Sequence, residues 1–145
     1  MLEWTQERAS ETPEAYGFAR AMYNPSLPIT VSKDGVAFFN HDAFLGGFAP
    51  DVNMADREFM FADQVPLAVS VFSLPITNPA WKLKPSWYLV SSNDQVLPPD
   101  VERMYAKRMK AVTEEVAGSH VAFISHPDIA AHIIEEAAKG AGAPN

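Results

Sequence analysis

An aspartate and a histidine in the second half of the chain can together carry acid–base chemistry. Asp94 follows the apolar segment 86–92, and His120 follows a second segment, 112–116. A carboxylate beside a histidine fixes the imidazole tautomer and stabilises the imidazolium, while the other ring nitrogen takes a proton from a nucleophile. The pair would then be the acid and the base of a nucleophilic triad. Spacing alone leaves a second interpretation open, in which Asp94 caps a turn and His120 is an ordinary loop histidine.

Alternating strands and helices are expected to position these two side chains. Residues 86–92 form a compact apolar run closed by small polar residues, which predicts a strand buried on both faces. Three elements follow: a helix over about 99–110, a strand over 112–116 and a helix from about 127 to 140. This order predicts parallel strands and an α/β fold, whose loops place Asp94 and His120 side by side. In the first of the helices, Asp100 and Glu102 are interpreted as acidic residues at its positive end.

The first half of the chain is rich in proline and aromatic residues and has little regular periodicity. Proline interrupts helices, so the elements here must be short. Helices are predicted over 41–48 with Asn40 as N-cap, over 54–64, and from Pro66 onward. Seven phenylalanines are interpreted either as an apolar acyl pocket or as ordinary packing: Phe38, Phe39, Phe44, Phe48, Phe59, Phe61 and Phe72.

Composition excludes several classes of function. The 145 residues fit one domain, and 11 Lys and Arg against 18 Asp and Glu give a net charge of −7, which argues against a nucleic-acid partner. No apolar run approaches the roughly 20 residues of a membrane span, and the first residues lack the pattern of a secretory signal. We therefore predict no membrane partner and a cytoplasmic location. Without cysteine and without metal-ligand spacing among the four histidines, no metal or cofactor is expected.

The sequence around both candidate residues resembles a known family. Residues 84–99 resemble the acid-bearing strand and turn of the α/β-hydrolase superfamily, and residues 118–127, of the form His-x-x-x-x-Ser-x-Pro, resemble its histidine loop. The form is similar to the small esterase and hydroxynitrile-lyase-like branch. The resemblance, specific over about 79–138, implies that Asp94 is the triad acid and His120 the general base, and that no cofactor is needed.

The resemblance also implies a domain organisation. Residues 1–80 are similar, more weakly, to the helical cap of such enzymes. Residues 81–140 match the carboxyl-terminal β-α-β-α part of the core, and residues 141–145 are expected to be a flexible tail. The expected fold is therefore α/β, the carboxyl-terminal part of an α/β-hydrolase preceded by a mostly helical cap.

One motif of the family is missing, because no Gly-x-Ser-x-Gly nucleophile elbow occurs in the chain. The family order is nucleophile, acid, histidine, so the resemblance implies a nucleophile upstream of Met1. Ser91, where the family commonly has glycine, is a lesser departure. Two core strands also leave an unpaired sheet edge, which predicts a partner: a missing amino-terminal half or a second copy.

The expected function is hydrolysis of a small, mostly apolar ester through a Ser-His-Asp triad, of which this chain holds the acid and the base. Lyase chemistry uses the same two residues and stays open. The alternatives are a non-catalytic truncated remnant or interaction module, or one half of a complementing pair.

Overall fold

Three short antiparallel strands form a small sheet in the first half of the chain. The structure is a computed structural model that describes residues 29–73 and 77–141. The strands are β1 (Ile29–Val31), β2 (Val36–Phe39) and β3 (Leu67–Ala68), with β2 in the centre. Gly35, in the turn between β1 and β2, has a φ of 72°, a left-handed conformation that glycine adopts without steric cost.

Two helices stand between β2 and β3. Helix α1 (His41–Ala43) begins where the Asn40 side chain accepts a hydrogen bond from the Ala43 amide at 3.0 Å, and it continues as a wider π-helical turn, Phe44–Phe48. Helix α2 (Met54–Ala62) is capped in the same way by Asn53. The helix predicted over 41–48 with Asn40 as its cap is therefore confirmed, and so is the helix predicted over 54–64, which ends two residues earlier.

The helix predicted from Pro66 onward is wrong. Leu67 and Ala68 pair with Ala37 and Val36 of β2, and only a short 3-10 helix, Val69–Ser73, follows. Pairing with an existing strand supplies backbone hydrogen bonds that the local sequence pattern does not reveal. The part of the first half that the structure describes is thus a mixture of short helices and a small sheet.

The second half has the expected parallel order. Its elements are β4 (Trp87–Ser91), α3 (Pro99–Met109), β5 (Val112–Val116), α4 (Ala122–Ser125) and α5 (Pro127–Ala141). Strands β4 and β5 are parallel and in register from Trp87 opposite Val112 to Ser91 opposite Val116. Helix α3 begins with Pro99 in its first turn, where a missing amide hydrogen costs nothing, and both α3 and α5 contact β4. The parallel α/β prediction for this half is confirmed.

A hydrophobic cluster joins the two halves of the described chain. Its buried members are Phe44, Ala49, Val52 and Val121, and partly buried side chains surround them: Phe39, Leu45, Phe48, Met60 and Phe61. We call these nine residues the aromatic cluster. Val121 directly follows His120 and is 3% exposed, so the cluster anchors the loop that carries the histidine.

Strand β4 keeps one edge without a strand partner. Over the described ranges it pairs with β5 and with no other strand. Three of its five residues are only partly buried, so the expectation of a strand buried on both faces is met at Val90 and Ser91 alone. An open strand edge is a ready template for another strand. Separately, none of the helices in these ranges is long and apolar enough to span a membrane.

Candidate active site

Asp94 is held in the turn that follows β4. Its Oδ1 accepts hydrogen bonds from the backbone amides of Val96 at 2.7 Å and Leu97 at 3.0 Å, an arrangement that Asp favours in turns. Its Oδ2 lies 2.7 Å from Nδ1 of His120. The Asp94 side chain is only 3% exposed, and these three donors compensate for the burial of its charge.

His120 lies in the loop between β5 and α4, which is tied to the Asp94 turn. The amide of Asn93 donates to the carbonyl of Gly118 at 3.1 Å, and the Asn93 side chain donates to the carbonyl of Ala117 at 3.2 Å. A Cβ atom on Gly118 would lie 2.5 Å from that of Ala122, so this close approach needs glycine. The structure therefore brings Asp94 and His120 together, as predicted, and their catalytic role stays a prediction.

The hydrogen bond to Asp94 assigns the neutral tautomer of His120. A carboxylate accepts but does not donate, so the imidazole proton lies on Nδ1. Among residues 29–73 and 77–141, no group is hydrogen-bonded to Nε2. The ring is about one-third exposed, and the ring of Phe48 lies against it with centroids 5.0 Å apart. His120 thus has a free lone pair, available to take a proton from a hydroxyl group.

The phenylalanines predicted as pocket or packing divide into two groups. Four belong to the aromatic cluster, where the rings of Phe44 and Phe48 stack with centroids 4.7 Å apart. Phe38 and Phe59 are exposed, and Phe59 is 70% exposed on the outside of α2. The side chain of Phe72 lies outside the described residues. Phe48 is the member of the aromatic cluster that reaches the candidate site. Its ring therefore both packs in the cluster and forms an apolar wall beside His120.

Asp51 is a part of the site that sequence analysis missed. Its Oδ2 accepts hydrogen bonds from the Ser119 amide and from the Ser125 hydroxyl, each at 2.7 Å. Ser125 Oγ in turn lies 2.9 Å from Nδ1 of His126. Asp51 therefore holds both ends of the loop that contains His120. Its partners stand 68 and 74 residues away along the chain, and no local pattern marks such a contact.

We expect Asp51→Asn to lower the melting temperature and to reduce the acid sensitivity of the fold. Burial raises the pKa of the Asp51 carboxyl, but hydrogen bonds from Ser119 and Ser125 outweigh it and leave that pKa below its ordinary value. A carboxyl of this kind stabilises the fold above its unfolded pKa, and the contribution is lost as pH falls through the folded pKa. Thermal unfolding at several pH values should show the wild-type advantage shrinking below about pH 4.

The matched control is Asp34→Asn, which changes an exposed turn residue of the first sheet. It should leave both the melting temperature and its pH dependence close to those of the wild type, because surface changes have small effects. Equal changes in the melting temperature of the two variants would contradict the structural role of Asp51.

The described residues offer no evident metal site, because no three His, Asp or Glu side chains in them converge as ligands would. The carboxylate of Asp94 instead faces the imidazole of His120. Such an arrangement can move protons and can stabilise a positive imidazole ring.

Comparison with known proteins identifies the fold around this site. Residues 6–133 match the model of the "Alpha/beta hydrolase family". The chain also resembles the crystal structure of polyneuridine aldehyde esterase, with a TM-score of 0.60 and 11% sequence identity over 90% of this chain and 53% of that chain. At this identity the likeness concerns the fold alone, and the chain spans about half the length of that esterase. No curated protein matches the chain.

Proposed function

Because the chain belongs to the alpha/beta hydrolase family, we propose that it supplies the acid and the base of an ester-hydrolysing Ser-His-Asp triad. The observation that carries this proposal is the 2.7 Å contact between Asp94 Oδ2 and His120 Nδ1, with Nε2 unengaged in the described structure. In this family the acid and the histidine follow the nucleophile along the chain, and both stand in loops after successive parallel strands here.

The proposed reaction has two steps. His120 Nε2 takes the proton of a serine hydroxyl as its oxygen attacks the ester carbonyl, and Asp94 stabilises the resulting imidazolium. The imidazolium then gives that proton to the departing alkoxide, which leaves as an alcohol. In the second step His120 takes a proton from water as the water oxygen attacks the acyl group. The imidazolium then returns that proton to the departing serine oxygen, which releases the carboxylic acid and the free serine.

The substrate we propose is a small ester with an apolar acyl group. The support is Phe48, whose ring lies against His120 and belongs to the aromatic cluster, so the surroundings of the base are apolar on that side. Apolar walls with a few polar groups are typical of small-molecule sites.

The nucleophile and the oxyanion-hole amides are proposed to come from a segment or chain outside the described residues. The sequence contains no Gly-x-Ser-x-Gly elbow, and within the described part of the chain β4 has an edge at which a further strand can pair. The same two observations favour the second candidate, a non-catalytic module that keeps the acid–base pair and uses this edge for association.

Hydrolysis of p-nitrophenyl butyrate separates the two candidates. The purified chain is assayed alone and mixed with the polypeptide encoded directly upstream of it. Turnover that appears on mixing supports a complemented triad, and turnover by the chain alone places a nucleophile within it or its self-assembly. A folded chain inactive in both assays, with the mixture shown to associate, would support the non-catalytic module.

A further inference from the structure

A second carboxyl group is buried behind the triad acid. Glu102, in the first turn of α3, is 4% exposed. Its Oε2 accepts a hydrogen bond from the backbone amide of Ser91, the last residue of β4, at 3.1 Å. Its Oε1 is fully buried and, among the described residues, has no donor within hydrogen-bonding distance. A buried carboxylate oxygen without a donor is costly, so this atom needs an explanation.

Asp94 is the residue that can form a hydrogen bond with the unpartnered oxygen of Glu102. Both residues are tied to the backbone of Ser91, whose carbonyl accepts from the Asp94 amide at 3.1 Å while its amide donates to Glu102. The negative charge of Asp94 raises the pKa of Glu102, because two ionised carboxylates close together repel. If one of them is protonated, the repulsion is replaced by a hydrogen bond that gives the unpartnered oxygen a role. The oxygens of Asp94 already accept from Val96, Leu97 and His120, so the proton belongs on Glu102.

We propose that Glu102 carries a proton in the folded protein and donates it to the Asp94 carboxylate, which makes Glu102 a positioning residue for the Asp94–His120 pair. The inference rests on the proposed function for what the pair does, but not for where the proton lies. With the proton on Glu102, Asp94 remains the single negative charge facing His120. The added hydrogen bond holds the Asp94 carboxyl plane and thereby the orientation of the imidazole.

The environment of Glu102 agrees with this assignment. Burial raises the pKa of Glu102 to about 7; the Ser91 amide acts against this rise and the charge of Asp94 adds to it. Arg103, the next residue along α3, has its guanidinium engaged by Glu115 and Asp100 at the surface. Burial, followed by the negative charge of Glu102, raises the pKa of Tyr88 in β4, so its phenol stays protonated. The charge of Arg103 lowers the pKa of Glu102, but burial and the charge of Asp94 together outweigh it.

The pH dependence of stability has a definite sign. The pKa of Glu102 is higher in the folded chain than in the unfolded one. The stability that Glu102 contributes to the fold is therefore fully present below the unfolded pKa, and it is lost as pH rises through the folded pKa of about 7. The unfolding equilibrium of the wild type should thus shift toward the unfolded state by about tenfold or more between about pH 5 and pH 8. Glu102→Gln keeps a neutral donor at this position and should remove that shift.

Infrared spectroscopy of the full chain, labelled with ¹³C-glutamate, locates the proton directly. At about pH 6 ordinary carboxyl groups are ionised, so a protonated-carboxyl C=O band that carries the glutamate isotope shift should be visible and should vanish in Glu102→Gln. The matched control, Glu115→Gln, removes an exposed, ion-paired glutamate of β5 and should keep the band. Absence of the band in the wild type, or its persistence in Glu102→Gln, would overturn the proposal.

Proton NMR tests the positioning role without requiring turnover. The downfield resonance of the His120 Nδ1 proton should stay sharp in Glu102→Gln and broaden in Glu102→Ala, because only the amide can still donate to Asp94. Equal broadening in the two variants would reduce Glu102 to a packing residue and overturn the inference. If Glu102→Ala does not fold, the infrared band and the pH series of Glu102→Gln still decide whether Glu102 carries the proton. A chain with the band but no esterase activity would refute the proposed function and leave this inference standing.

Discussion

Replacing His120 with alanine should reduce ester turnover by the active assembly about 10⁴-fold or more, while substrate binding persists. His120 Nε2 is the group proposed to remove the nucleophile's proton and to return it to the leaving alkoxide, and alanine can do neither. The ring is partly exposed, so its removal leaves Asp94 and the turn in place. Steady-state kinetics with p-nitrophenyl butyrate should therefore show a collapse of kcat with little change in KM.

The control for this variant is His132→Ala, which removes an exposed histidine of α5 that lies 3.5 Å from Glu114. It should keep wild-type turnover. An active assembly whose rate is insensitive to His120→Ala would show that the base is elsewhere, and the triad assignment would be wrong.

Asp94→Asn should have the second-largest effect, a loss of about 10³–10⁴-fold in kcat with the fold retained. The amide oxygen can still accept from Val96 and Leu97, but the amide nitrogen must then face His120 Nδ1. An N–H group opposite Nδ1 favours the tautomer protonated on Nε2, which cannot act as a base. The ¹⁵N NMR shifts of the His120 ring report this tautomer directly, alongside the kinetics.

Asp100→Asn is the comparison for this second variant, because it changes a 96% exposed aspartate six residues further along the chain. Its turnover and its His120 tautomer should match those of the wild type. If Asp94→Asn kept full activity together with the wild-type tautomer, Asp94 would be a turn residue and nothing more.

The second half of the fold was predictable because its patterns are local. The apolar run of β4 and the proline in the first turn of α3 are signals within a few residues. Together with the alternation of strands and helices they predicted the parallel pair β4 and β5. Strand β3 was not predictable, since its two residues owe their conformation to pairing with β2. The antiparallel sheet of the first half thus depends on contacts that periodicity does not encode.

The residues of the candidate site likewise divide into those that the sequence predicted and those that depend on tertiary contacts. Asp94 and His120 were accessible because polar residues at the carboxyl ends of parallel strands meet at one edge. Glu102 was interpreted as an acidic residue suited to the start of a helix, and its position in the first turn of α3 agrees with that. Its burial against β4 and its contact with Asp94 depend on tertiary packing, as do the hydrogen bonds of Asp51.

The long sequence separation of the Asp51 contacts has a consequence for synthesis of the chain. The Asp94–His120 contact spans 26 residues, whereas Asp51 and the aromatic cluster must wait for residues 119–125, about 70 positions later. At the usual rate of translation that delay is about 4–14 seconds. During it, Phe44 and Val52 have no Val121 to pack against, and the nascent chain exposes an apolar surface. We expect chaperones to engage this segment on the ribosome, before the histidine loop has been made.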